Sequence, residues 1–563
     1  MREDDCNLID QPWIRVRMTN ASLRELSMAD VFAHAQDIQA LAGELPTQDA
    51  AILRLLLAVL HTVFSRVNAD GEDDPLEEAE SEDDGLDRWQ SLWERKCFPV
   101  QPIQNYLKSV RERFWLFDVK RPFYQAPEAR NIAGKNQKKE LKCKATKLDA
   151  SINQSENKER IFLNKNGIEK NSLSFSEAAR WLVHMVAYDD CGVKKSDSFK
   201  KWAKENKIKE DGSPGVGWLG KLGMVYAEGD NLFETLLLNM VMLPNGEYHP
   251  YNRENPVWEW ADARVREREK ISCPDNMAEL LTFPSRYILL EKEKGKVIGG
   301  YPVFGMYFES GEAALEQMSR RNGTKNSKLS PYEPLRHEQG KFLWQEFDSL
   351  FVCGEEGDDS RPGIVRWINR LQAQEDPLIE PDRIIRFRSV GIYYDSNRSS
   401  IEQIETDSLS VHSGVISALG SSWRKVISEE LAFTERVTNA VGYLNQNIYT
   451  AKSNKLEDRR DKSDPVRAAR EHGKAVFYES LDIPFREWIL SIRTDISDPE
   501  IKRAEWRDLV RKTADRIGKE IIESAGPAAY VGHLVKKTKE DSGVFYSSPK
   551  AYLEFKRYLN KIR

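Results

Sequence analysis

Paired cysteines, a basic excess and long apolar runs are all missing from this 563-residue chain, and each absence removes a class of protein. The six cysteines, at 6, 97, 143, 191, 273 and 353, are scattered, and no C-x-x-C pair offers a zinc ribbon or redox motif. They read as reduced, intracellular thiols. Lys and Arg number 84 against 90 Asp and Glu, so the net charge of −6 gives no whole-chain signature of a nucleic-acid binder. Any such contact has to come from local patches. The longest apolar stretch, Ala50 to Leu60, is broken by Arg54, and the N-terminus is acidic. No signal peptide or membrane span is expected, and the location expected is cytoplasmic. Catalytic strings such as H-E-x-x-H, G-x-S-x-G and a P-loop are missing, and the eight histidines stand singly. His61 and His184, on amphipathic segments, read as packing residues.

What is present suffices for two or more packing units. Leu8 to Val16 reads as a short strand broken by Pro12, followed by a helix from Leu23 to Ala33. Pro46-Thr47, then Asp49, Ile52, Leu55, Leu56, Val59, Leu60 and Val63, predict a capped core helix. An acidic loop over 70–87 precedes an aromatic helix with Trp89, Leu92, Trp93 and Phe98. Ser174 and Glu177 form a capping-box pattern. Short apolar runs punctuated by Gly and Pro fill 225–400, and helical periodicity dominates beyond 403, with loops near 452–465, 494–498 and 524–546. The expected fold is α+β: a large mixed α/β N-terminal domain over 1–402 and a C-terminal antiparallel four-helix bundle over 403–563.

The sharpest string is Gly215-Val216-Gly217-Trp218-Leu219-Gly220, a literal G-x-G-x-x-G. A dinucleotide site needs it between a buried strand and a helix, whereas Lys204 to Pro214 is charged and turn-forming. The same glycines suit close approach of main chain to a partner, or a plain turn. The acidic pairs Asp73-Asp74, Asp83-Asp84 and Asp189-Asp190 lie in a loop or at a helix end, so no metal site is expected. Lysine-rich stretches at 130–147 and 194–209, the second with Phe199 and Trp202, could neutralise phosphates or be solvated faces. A nucleotide-binding or metal-dependent nucleic-acid enzyme, a DNA-binding subunit and a purely structural subunit all stay open on these residues.

Asn7-Leu8-Ile9-Asp10-Gln11-Pro12-Trp13-Ile14, Gly43-Glu44-Leu45-Pro46-Thr47 running into Leu53 to His61, Gly229 to Asn239, and Leu481-Asp482-Ile483-Pro484-Phe485-Arg486-Glu487-Trp488 together resemble the CasA family, in the same order along the chain. That family supplies the large subunit of the type I-E CRISPR Cascade complex. The resemblance implies a non-catalytic protein without cofactor, metal or membrane. Its implied partners are double-stranded target DNA, whose protospacer-adjacent motif it recognises, the guide RNA, the other Cascade subunits and a recruited helicase-nuclease that cleaves the opened duplex. Carried over, the family's glycine loop falls on Pro214, Gly215, Val216 and Gly217. Its wedge falls on Tyr394 to Ile401, with Asn397 retained and Arg398 where the family has glutamine. A basic finger is expected at Arg320, Arg321 and Lys325, and a contact to the RNA handle or a neighbouring subunit at Phe162, Leu163 and Asn164. A bulky residue at 217 is expected to abolish motif-dependent binding while leaving assembly intact.

Overall fold

The computed structural model describes residues 6–76, 83–130, 143–153, 165, 169–191, 215–242, 253–261, 270–323, 326–352, 360–374, 376–417, 420–458, 461, 463–536 and 542–562. Packing divides the chain into two units: 1–341 with 353–371 and 385–408, and 342–352 with 372–384 and 409–563.

The first unit opens with an antiparallel sheet of β1 (Ile14–Met18), β2 (Leu23–Leu26) and β3 (Ile38–Leu41), ordered β2-β1-β3. Leu23 to Leu26 is therefore strand rather than the expected helix, since its backbone pairs with β1, Leu26 opposite Ile14. The helix is confined to Met28–Ala33, where Ser27 Oγ accepts from the Asp30 amide at 3.1 Å. Helix α1 (Pro46–Phe64) is buried nearly all round, as a core helix must be. It is long and apolar enough to cross a membrane, but 94% of that window lies inside the protein. Its expected side-chain cap is replaced by Pro46 at the first position, with Asp49 and Gln48 reaching back to accept from the Gly43 and Glu44 amides at 2.7 and 3.1 Å. Arg54, which interrupts the apolar run, is 1% exposed and grips Glu316 with two bonds of 2.9 and 3.1 Å.

The aromatic helix spans Asp83–Glu94, beginning inside the expected acidic loop, because Asp83 and Asp84 in its first turn complement the positive helix end. Helix α2 (Phe175–Tyr188) carries the expected capping box between Ser174 and Glu177. Strand β4 (Met224–Glu228) pairs antiparallel with β5 (Ile384–Tyr394), Val390 opposite Met224, and β5 neighbours β6 (Ile401–His412).

Burial lowers the pKa of His61 and of His184 to about 4, and raises that of Asp49 to about 7. The signs oppose. A buried neutral histidine contributes stability that is present above its unfolded pKa of about 6.5 and is lost as pH falls toward 4. Neutral Asp49 contributes stability present below about pH 4 and lost as pH rises through 7. On acidification from pH 7 to 5, stability relative to wild type should therefore rise for His184→Gln and fall for Asp49→Asn, each by about 1–2 kcal/mol in denaturant titrations. A shared direction for the two variants would contradict this.

The second unit is built on α3 (Ser421–Ser453), α4 (Pro465–Leu490), α5 (Pro499–Glu523) and α6 (Ser548–Lys561). Asp464-Pro465 and Asp498-Pro499 start two of them, the carboxylates accepting first-turn amides at 2.8–3.2 Å and the prolines sitting where no amide hydrogen is needed. Trp506 fills the core against Phe485 and Trp488, both 5.2 Å away by centroid, and its indole donates to Thr434 at 2.9 Å. The expected boundary at 402/403 falls within β6, and two earlier segments join this unit. Trp344 shows why: it stacks on Phe485 at 4.5 Å and donates to Asp482 at 2.9 Å.

Candidate nucleic-acid interface

The glycine string is held from below rather than laid on a surface. Gly215 is half-exposed with φ +80°, while Val216 and Gly217 are buried. A four-residue turn of 3-10 helix, Trp218–Lys221, follows, and then β4. Among the described residues no α-helix opens at the string, only this single 3-10 turn, so a pyrophosphate lacks the long run of aligned peptide dipoles that a dinucleotide fold provides, and the nucleotide-enzyme alternative is corrected. A Cβ on Gly217 would stand 2.6 Å from the Ala187 carbonyl carbon and 2.9 Å from the Tyr188 nitrogen, at the end of α2. That glycine serves internal packing, which corrects the expectation that a bulky residue there spares the fold. At Gly215 the nearest atom to a Cβ is Lys221 Cε at 3.6 Å, and this is the position open to the outside.

Two buried charge systems lock the string. Trp218 donates its indole N–H to Glu316 at 2.9 Å, the carboxylate that Arg54 of α1 also binds. Arg286, fully buried, donates to Asp189 Oδ2 at 2.8 Å and to the carbonyls of Asp190 and Gly215 at 3.0 and 2.6 Å. Asp190 in turn binds Lys147. The Asp189-Asp190 pair is thus neutralised by cations, and among the described residues no group of three or more His, Cys, Asp or Glu is placed to hold a metal ion.

The loop between β5 and β6 is built around Asp395. Its carboxylate accepts from the Ser399 amide at 2.6 Å and from the Ser399 and Ser400 hydroxyls at 2.7 and 3.1 Å. Arg398 sits at φ +53°, a conformation costing a non-glycine residue roughly 1 kcal/mol, and its amide donates to the Asp395 carbonyl at 2.7 Å. The closure leaves Ser396, Asn397 and Arg398 exposed at the tip. The segment after α2 bonds both features: Asp189 O accepts from the Gly217 amide at 2.8 Å, while the Cys191 amide donates to Arg398 O at 2.7 Å. Tyr394 adds a bond to the Tyr188 carbonyl at 2.6 Å. Gly215 and the Asn397-Arg398 tip, 182 residues apart between 215 and 397, are anchored on the same few residues.

Two cations that the sequence reading passes over stand here. Lys221 is half-buried, with its ammonium 5.8 Å from the Trp218 ring centre, and among the described residues it makes no hydrogen bond or ion pair. Burial, and then the neighbouring Arg286 charge, lower its pKa. Arg336 donates to the Gly220 carbonyl and lies 5.8 Å from the Tyr394 ring centre; burial lowers its pKa, with Arg398 adding repulsion. Neither belongs to a lysine-rich run. The one sequence signal for Lys221 is its place directly after Gly220.

Arg320 and Arg321 are not a finger. They form a two-residue strand against Pro334–Leu335, are 7% and 4% exposed, and donate to the main-chain carbonyls of Arg336, and of Ala314 and Glu316. A guanidinium committed to internal carbonyls is not presented to a groove. Pro214, Lys325, Phe162, Leu163 and Asn164 lie outside the described residues, as do the 194–209 lysines and Lys135, Lys138, Lys139 and Lys142.

The family model of CRISPR-associated protein Cse1 matches residues 7–517. A Thermus thermophilus protein, CRISPR-associated CasA/Cse1, is 27% identical over 355 residues, an alignment covering 61% of this chain and 60% of that relative. Among solved structures, Thermobifida fusca Cse1 superposes with a TM-score of 0.77 at 25% identity, covering 99% of this chain and 98% of that one. Cse1 from Acidimicrobium ferrooxidans gives 0.73 at 23% identity over 99% of both chains. The match to the family model over most of its length means that the chain belongs to the CRISPR-associated Cse1 family, also called CasA.

Proposed function

We propose that this chain is the non-catalytic large subunit of a cytoplasmic type I-E Cascade complex, bound to the guide RNA and the other subunits, and that it reads the protospacer-adjacent motif of duplex DNA. Protein contacts then read the short motif while base pairing to the guide reads the rest. The observation that carries the reading is the shared anchoring on residues 188–191 of the glycine string, directly at Gly217 and through Arg286 at Gly215, and of the Asn397-Arg398 tip. Gly215 brings side-chain-free main chain to a minor groove, where the pattern of acceptors is degenerate and several motifs are tolerated. Lys221, desolvated and without a counter-charge bonded to it, supplies an ammonium to a DNA phosphate beside the string. Arg398 replaces the family's wedge glutamine: a planar guanidinium stacks on the first exposed base or holds its phosphate, while Asn397 addresses a base edge. The parted duplex then passes to a recruited helicase-nuclease.

In the assembled complex, Arg398→Ala should slow strand opening, followed with a fluorescent base beside the motif, about tenfold or more, with initial duplex binding little changed. Equal opening rates would remove the wedge role. Lys221→Met should weaken binding about equally across motifs and lower the slope of log K against log salt by about one. An unchanged slope would take Lys221 off the DNA.

A further inference from the structure

On the other side of the 283–287 segment lies a second feature that the DNA-reading surface does not use. Phe283, Ser285 and Arg286 line a small cavity beside Val216 and Lys221, whereas Pro284 and Tyr287 face away into a different one. That cavity is about 80 Å³, opens to solvent, and is walled by Phe123, Trp258, Trp260 and Tyr287, with Arg113 and Arg121 also lining it. The two arginines are unequal. Arg121 is held, donating to the Ala261 carbonyl at 2.6 Å, and its main chain is fixed by Asp118. The Arg113 side chain makes no hydrogen bond or ion pair among the described residues; burial, and then the Arg121 charge, lower its pKa, against a smaller opposing effect of the Asp118 carboxylate.

An aromatic cavity with two adjacent guanidiniums calls for a ligand that is apolar at one end and anionic at the other. Size decides which. A cavity of about 150 Å³ is what encloses a benzene ring, so 80 Å³ does not enclose a nucleobase but does enclose three or four side-chain carbons. A carboxylate matches a guanidinium fork with two parallel bonds, and the Arg113–Arg121 repulsion is relieved when one arrives.

We propose that this cavity is a docking site for a peptide segment of another Cascade subunit, in which a Val-, Pro- or Leu-sized side chain enters between Phe123 and Trp258 and an adjacent Asp or Glu is clamped by Arg113 and Arg121. The site is independent of the DNA-reading surface. To test it, the full-length chain is applied to an array of capped peptides tiling the other subunits of its complex, beside a dT20 oligonucleotide. The expected result is retention on tiles carrying an aliphatic residue next to a carboxylate, weakened about ten- to hundredfold by Arg113→Glu and by Asp/Glu→Asn/Gln in the tile, with no retention on dT20 beyond that of Arg113→Glu. Since the Arg113 side chain makes no hydrogen bond or ion pair among the described residues, the variant should melt with the wild type; Arg113→Gln serves if it does not. No retained tile, retention indifferent to both changes, or retention of dT20 lost in Arg113→Glu would each overturn the proposal, the last in favour of a nucleic-acid site.

Discussion

Replacing Arg286 with methionine should destabilise the first unit by about 3–5 kcal/mol, the range for removing one partner of a buried ion pair. The guanidinium is fully buried and binds one carboxylate and the carbonyls of Ser285, Asp190 and Gly215 at 2.6–3.0 Å. Methionine fills much of the volume but leaves Asp189 charged and the carbonyls without their donor. Because those acceptors belong to the glycine string and to the segment that binds the Arg398 tip, motif-dependent binding should fall together with stability. Lysine at the same position restores the charge but not the fork, so it should recover part of the stability and little of the geometry. Chemical denaturation of the free chain and DNA binding of the assembled complex measure the two effects. Wild-type stability in Arg286→Met would show that the network does not hold the string.

Gly217→Val should be nearly as damaging, for a steric reason. The clashing atoms are backbone of α2, which cannot rotate away as a side chain can, so overpacking should cost about 3 kcal/mol or more. Gly215→Ala is the contrasting case. Space there is open, and the cost is that of the left-handed backbone alone, about 1–2 kcal/mol. The fold should survive, and weakened motif binding by that variant reports on the interface directly. Wild-type stability in Gly217→Val, or equal destabilisation by both, would contradict this division.

Patterns within a few residues are legible in the chain itself. The capping box at Ser174, the buried periodicity of α1 and the helical texture from Ser421 onward each depend on neighbours along the sequence, whereas 403–412, expected as helical, is part of strand β6. Leu23 to Leu26 reads wrongly as helix because its choice of strand rests on hydrogen bonds to β1, which local propensity does not contain. The start of the aromatic helix at Asp83 is hidden because acidic residues suit both a solvated loop and a helix N-terminus.

For the site, the sequence alone determined that a glycine string exists, that a turn-forming segment with Asn397 and Arg398 exists, and that their family resemblance makes them worth joining. Tertiary structure decided which glycine faces outward, that Arg320 and Arg321 are committed to internal carbonyls, and that Lys221 and Arg336 stand beside the string. The physical reason is range. Turn chemistry and periodicity are written in adjacent residues, whereas a close backbone approach such as Gly217 on Ala187, or the bond from Cys191 to Arg398, exists only after elements far apart along the chain have packed.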